Sequence, residues 1–202
     1  MELNFVVGIF GEGRVGKTCI VKRFIDNQFD ENEETSSNAD KLEKLIEIEK
    51  NVINLEIYDL PGQESFHNFA KNYIKGLNGV ILVYEIVTKD TFDKIDFWFK
   101  QMKENLEENT PILLLGNKCD LTDKRVVSKE MGEKLANEKN MIFCECSAKN
   151  GTNIENSIIE LAKRILKEHQ SKKEPKKNKE EKVQETKNNK KENKKGKFCH
   201  LF

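Results

Sequence analysis

Apolar residues in this chain gather into short runs of two alternating kinds. Leu3 to Phe10 is mostly apolar and ends in a glycine-rich turn, the pattern of a buried strand. Thr18 to Ile25 then offers Cys19, Val21, Phe24 and Ile25 to a core at helical spacing. Asp26 to Lys41 is polar and has no apolar period, which predicts a loop. Leu45, Ile46 and Ile48, followed by Val52 to Leu60, read as two strands of a hairpin around Lys50-Asn51. Val80 to Tyr84 is a further strand, Thr91 through Phe92, Ile95, Phe99 and Met102 a helix, and Ile112 to Leu115 a short buried strand. Ser128 to Asn137 predicts a helix, Met141 to Glu145 a strand, and Asn153 to Glu168 an amphipathic helix carried by Ile154, Ile158, Leu161, Ile165 and Leu166. Alternating strands and helices predict an α/β domain with a mostly parallel six-stranded sheet covered by helices on both faces. In such a sheet the working loops lie beyond the carboxyl ends of the strands.

After Gln170 the pattern stops. One valine and no aromatic residue between Ser171 and Lys197 cannot repay the entropy of ordering, so the expected organisation is a domain over 1–169 and a flexible lysine-rich tail over 170–202. Charge sharpens this division. The whole chain balances 35 basic against 35 acidic residues, but the stretch from Ser171 onwards holds twelve lysines and five glutamates, which leaves residues 1–170 at −7. An acidic body argues against a nucleic-acid surface, and a basic end argues for an anionic partner at one place, such as a membrane surface. No window of 18 apolar residues exists and MELNFVVGIF lacks a basic leader region, so neither a spanning helix nor a signal peptide is expected. Cysteines at 19, 119, 144, 146 and 199 form no disulfide framework or metal-ligand series, which fits a reducing compartment.

Three polar motifs fall at strand ends. Gly11-Glu12-Gly13-Arg14-Val15-Gly16-Lys17-Thr18 fits the phosphate-loop pattern between a strand and a helix, with Cys19 directly after it. Its glycines let backbone N–H groups converge on phosphate, the helix adds its positive end, Lys17 reaches the terminal phosphates and Thr18 offers magnesium a hydroxyl. In Asp59-Leu60-Pro61-Gly62-Gln63-Glu64, Asp59 can hold magnesium directly or through water, the Gly62 N–H can sense a γ-phosphate, and Gln63 can orient an attacking water. Asn117-Lys118-Cys119-Asp120 selects the base: one carboxylate on Asp120 can accept both the N1–H and the exocyclic amine of guanine, a donor pair that adenine lacks. Lys118 can lie along the base and Asn117 can tie its loop to the phosphate loop. Ser147-Ala148-Lys149 can supply a backbone N–H to the guanine oxygen, with Lys149 over the ring.

GEGRVGKT, DLPGQE, GNKCDL and CSAK together resemble the signature of the Ras superfamily of small GTPases, over residues 3 to about 168. GKTCIVKRF, LEIYDLPGQESF, NYIKG, ILVYEI and LLLGNKCDLTDKRVV are most similar to the Rab family of vesicle-traffic switches. The resemblance implies the P-loop NTPase fold and a cycle between GTP and GDP with magnesium, in which two switch loops order around the γ-phosphate. It also implies an exchange factor, a GTPase-activating protein, effectors, a GDP-dissociation inhibitor and a core that is monomeric. By resemblance Phe29 packs against guanine, Gly13 faces the catalytic water, Gln63 is the catalytic glutamine, and Tyr58, Phe66 and Tyr73 belong to the effector and switch surface.

This sequence departs from that pattern at several positions. The first switch of the family carries Thr-Ile-Gly, whose threonine closes on magnesium; here Ser36 takes that place, followed by Ser37 and Asn38 and preceded by Thr35. Lys41 stands where the effector strand is normally hydrophobic, Tyr58 where tryptophan is usual, Pro61 where alanine is usual, and Arg14 where a small residue is common. The end Cys199-His200-Leu201-Phe202 fits a prenylation box, and its phenylalanine favours geranylgeranyl transfer by a prenyltransferase. One lipid plus a polybasic stretch gives two membrane signals, each lysine near an anionic leaflet adding roughly 1 kcal/mol. The expectation is a GTP-hydrolysing switch on the cytoplasmic face of an endomembrane or vesicle, cycling with the cytosol. The alternatives are a slow nucleotide-bound scaffold, and a Ras- or Rho-like switch at the plasma membrane, to which the single terminal cysteine points.

Overall fold

The computed structural model describes residues 3–33, 39–60 and 74–173. Among them the chain runs β1 (Leu3–Gly11), α1 (Lys17–Asp26), β2 (Asp40–Ile48), β3 (Asn51–Asp59), β4 (Gly79–Glu85), α2 (Lys89–Asp93), α3 (Ile95–Lys103), β5 (Ile112–Asn117), a 3-10 turn (Thr122–Lys124), α4 (Lys129–Glu138), β6 (Ile142–Glu145) and α5 (Ile154–Lys173). The six strands form one sheet in the order β2-β3-β1-β4-β5-β6, parallel throughout except for the antiparallel β2–β3 hairpin. From β1 the chain builds outward to β3 on one side and to β4 on the other. The carboxyl end of β1 is therefore the switch point of the sheet, where α/β folds place their ligands.

β4 and β5 are buried along almost their whole length, so they read as continuous apolar runs rather than alternating ones. One face of the sheet packs Phe5, Val7, Ile9, Ile81 and Val83 against Ile20, Val21 and Phe24 of α1 and Ile158, Leu161 and Ile165 of α5. The other packs Phe10, Val80, Leu82 and Tyr84 against Phe92, Ile95, Trp98 and Met102 of α2 and α3. Full burial of each such side chain contributes roughly 1.5–3 kcal/mol, so both layers of helix are held mainly by their apolar stripes.

The compact unit covers Met1–Lys167, and a second unit covers Glu168–Phe202, described here only through Lys173. Three details correct the sequence reading. β2 begins at Asp40, within the expected loop, where it pairs with Asp59 of β3; its inward positions 42 and 44 carry one half-buried leucine and one lysine, which hides the strand period in the sequence. Lys44 Nζ donates to Phe24 O at 2.6 Å and sits 4.5 Å above the Phe24 ring, so its stem packs inward while its ammonium closes the end of α1. The single helix expected from Thr91 to Met102 is two, separated at Lys94, which keeps right-handed helical dihedrals. α5 continues to Lys173, beyond the expected end of the domain, because a helix once nucleated propagates through polar residues without needing a core. Among the described residues no helix is long and apolar enough to cross a membrane.

Candidate nucleotide-binding site

A cavity of about 600 Å³ opens where the carboxyl ends of β1, β3, β5 and β6 meet. Its walls bring together Arg14, Gly16, Lys17, Thr18 and Cys19 from the first motif, Phe29, then Asn117, Lys118 and Asp120, then Ala148 and Lys149. Residues far apart in the chain thus line a single concave site.

The phosphate end is built by backbone geometry. Gly11 has φ 146°, and a Cβ there would lie 2.3 Å from Val83 O on the neighbouring strand. Val15 is fully buried and anchors the loop to the core, while Gly13 and Arg14 remain exposed at its tip and Arg14 takes a left-handed φ of 65°. Glu12 turns inward, and its Oε1 accepts a 3.0 Å bond from Trp98 Nε1 on α3. Gly16 caps α1 with φ 91° and no side-chain hydrogen bond, and the first turn contains no acidic residue. The open N–H groups and positive end of this helix suit an anion.

Lys17 folds back across the loop, its Nζ donating to Gly11 O at 3.1 Å and Glu12 O at 3.0 Å. Burial lowers its pKa, while the nearby carboxylates of Asp59 and Glu12 favour its charge. Thr18 Oγ1 donates to Asp59 Oδ2 at 2.5 Å, and among the described residues Asp59 Oδ1 is buried without a hydrogen-bond partner. Burial pushes the Asp59 carboxyl up, against the Thr18 hydrogen bond and the Lys17 charge that pull it down. A hydroxyl and a carboxylate with a spare buried oxygen are the hard ligands magnesium takes when substrate phosphates and water complete its shell. No group of three or more acidic, histidine or cysteine side chains stands ready for a metal among the described residues. Thr18 and Asp59 supply two oxygen donors that fit magnesium whose remaining ligands come from phosphate and water.

At the base end, Asn117 joins three loops. Its Nδ2 donates to Val15 O at 2.8 Å, and its Oδ1 accepts from Ala148 N at 3.2 Å. The Ala148 amide is thereby engaged by Asn117. Ser147 is fully buried, and its Oγ donates to Asp120 Oδ1 at 2.5 Å, fixing the carboxylate. Lys118, at a left-handed φ of 65°, donates to Arg14 O at 3.0 Å and forms an ion pair with Glu85. Its stem thus spans the pocket wall between base loop and phosphate loop. Phe29 is half-buried against the core, and Lys149 is exposed, its Nζ 3.4 Å from Glu31. Cys19 lines the cavity with its thiol 3.9 Å from Asp30 O, and burial raises its pKa.

Tyr58 lies away from the cavity, paired across the hairpin with Lys41. Lys41 forms a 3.1 Å ion pair with Glu56, which also accepts from Asn4 Nδ2 at 2.8 Å, so this face is polar. Thr35, Ser36, Pro61, Gly62, Gln63, Phe66, Tyr73 and Cys199 lie outside the described residues.

The motifs gave no hint of Trp98 or Glu33. Leu121 and Glu33 line the cavity, and Glu33 is held by both carboxylate oxygens at 2.7 Å from Lys22 on α1. A lysine on a helix and a glutamate in a polar loop read as solvated, and only their approach in space pairs them.

Gly16→Ala is expected to destabilise the protein by about 1–3 kcal/mol, because a side chain would be forced to positive φ. Its Cβ would also sit 2.5 Å from Asn117 Nδ2, breaking the tie to the base loop. Thermal melting with and without GDP checks this; an unchanged melting temperature would mean that the loop relaxes freely.

The sequence profile of the Ras family matches residues 6–167. Rab-10 of Caenorhabditis elegans is 38% identical over 165 residues, 82% of each chain. Rab-10 of Diplobatis ommata is 38% identical over 88% of each chain. Rab-8B of Pongo abelii is 38% identical over 80% of this chain and 78% of its own.

Proposed function

The chain belongs to the Ras family of small GTPases and is Rab-like, and from that membership we propose that it binds GTP with magnesium, hydrolyses it to GDP, and acts as a switch in vesicle or endomembrane traffic. The observation that carries the reading is the convergence of Lys17, Thr18 and Asp120 on one cavity, with the buried Asp59 carboxylate bonded to Thr18 beside it. Lys17 and the N-terminus of α1 face the β- and γ-phosphates and stabilise the negative charge that shifts between them as the terminal phosphate leaves. Thr18 and Asp59 would hold magnesium, which neutralises phosphate charge when bound. Ser36 or Thr35 is the further hydroxyl proposed for magnesium, and the Gly62 N–H the proposed γ-phosphate contact. Gln63 would orient the attacking water, since its amide can both donate and accept.

Single-turnover hydrolysis tests this. Gln63→Leu is expected to slow hydrolysis by at least about tenfold while leaving GTP affinity within about twofold, as for a group that acts only in the transition state. Hydrolysis at the wild-type rate in the variant would assign water placement to another group. Negligible turnover in the wild type, even with a cellular extract, would favour the slow scaffold.

The switch surface would meet an exchange factor, an activating protein and effectors, together with Phe66 and Tyr73 of the second switch. The Lys41–Glu56 pair beside Tyr58 suits effectors with polar contacts rather than purely apolar ones. Prenylation of Cys199, backed by the lysine-rich stretch, would hold the protein on an anionic cytoplasmic leaflet, with a GDP-dissociation inhibitor as the soluble carrier. Cys199→Ser is expected to move most of the protein from the membrane pellet to the supernatant. Undiminished pelleting would remove the lipid anchor from the reading.

A further inference from the structure

Arg23 belongs to none of the nucleotide motifs and does not line the cavity, yet every nitrogen of its guanidinium has an acceptor. Nε donates to Ala148 O at 2.9 Å and Nη2 to Lys149 O at 2.8 Å. Nη1 donates to Asn27 O at 2.8 Å and to Asn27 Oδ1 at 3.0 Å. The first pair of acceptors sits in the turn after β6, on one side of the base end. Asn27 ends α1 at a left-handed φ of 56°, just before Phe29, which lines the cavity. One planar, permanently charged fork therefore grips both the base turn and the root of the Phe29 segment, a geometry that a lysine cannot reproduce.

The Ala148 carbonyl and the Lys149 N–H belong to one peptide unit, and no peptide bond among the described residues is cis. In a trans unit the two groups point in opposite directions. Arg23 on α1 holds the Ala148 carbonyl, so the Lys149 N–H points away from Arg23, and Lys149 itself lines the cavity while Arg23 does not. The Ala148 amide already donates to Asn117 Oδ1 at 3.2 Å, which leaves the Lys149 amide as this turn's donor for a base oxygen.

We propose that Arg23 is a positioning residue for guanine recognition: by holding the Ala148 and Lys149 carbonyls it aims the Lys149 N–H at the oxygen on C6 of the base, and through Asn27 it keeps the Phe29 wall closed. This rests on the guanine-nucleotide reading of the site. Without Arg23 the carbonyls of Ala148, Lys149 and Asn27 lose their charged donor, the peptide plane is free to rotate, and the base is held less firmly.

The test is the release of a fluorescent GDP, and of the diphosphate of 2-aminopurine riboside, from the full chain with magnesium present. The second nucleotide keeps the exocyclic amine but has neither the oxygen at C6 nor the N1–H, so what is compared is the change that Arg23→Ala makes within each nucleotide. Arg23→Ala is expected to speed GDP release by about tenfold or more, as for loss of charge-assisted hydrogen bonds, and release of the 2-aminopurine nucleotide by less than about threefold. Arg23→Lys should fall between the wild type and the alanine variant, because one ammonium can still reach a carbonyl. It also carries the comparison if Arg23→Ala does not fold.

Equal acceleration of both nucleotides would overturn the proposal by reducing Arg23 to a general brace, and unchanged release of both would overturn it outright. Equal affinity of the wild type for the two nucleotides would instead remove the guanine reading, and the proposal with it.

Discussion

Asp120→Ala is expected to weaken GDP binding on the order of a thousandfold, with most of the preference for guanine over adenine lost, because two hydrogen bonds to a charged acceptor disappear together. The effect is large because the carboxylate is prepared for this task. Ser147 Oγ donates to Oδ1 at 2.5 Å and is itself fully buried, so the acid is already oriented before the base arrives. An adenine base would leave that charge desolvated and unpaired, which is the source of the discrimination. Asp120→Asn should behave differently from alanine. Its amide offers one acceptor and one donor, which match the N1–H and the C2 carbonyl of xanthine, so preference should turn from GTP toward XTP. Competition binding among GTP, XTP and ATP measures both variants, and unaltered selectivity in Asp120→Ala would refute the assignment of the base reader.

Lys17→Met is expected to lower the affinity for both GDP and GTP by about three orders of magnitude, the equivalent of about 4 kcal/mol for unit charges 4 Å apart at an effective dielectric of 20. Lys17 is buried, so methionine retains most of its packing. The fold should change far less than the binding. Removing the ammonium relieves a desolvation cost, visible in its lowered pKa, but leaves Gly11 O and Glu12 O without their donor. These effects oppose each other, so the melting temperature of the nucleotide-free protein should move far less than the affinity. Calorimetric titration beside thermal melting separates the two quantities; affinity within about threefold of wild type would show that backbone amides alone hold the phosphates.

The strands most legible in advance are those with the simplest burial. β4 and β5 are covered on both faces, so apolar runs mark them without ambiguity. β2 is an edge strand with a charged outer face, and Lys44 hides an inward position behind a polar name. The phosphate loop was legible because its chemistry is contiguous: the glycines, lysine and threonine act through one stretch of backbone. Glu12 shows the limit even there. It reads as a loop carboxylate, but the structure buries it beneath Trp98.

Sequence by itself determined the α/β class, the family's motif pattern from which the phosphate loop and Asp120 are proposed to bind nucleotide, and the uneven charge along the chain, because each is written in local order, period or charge. Only the tertiary structure decided which groups brace those motifs. Asn117 links the phosphate loop to the base turn, Lys22 holds Glu33, and Arg23 grips the turn beyond β6. These contacts join residues from separate elements, and charged side chains on a helix carry no period that announces a distant carbonyl. They arise when parallel strands bring their carboxyl ends together and make neighbours of loops that are remote along the chain.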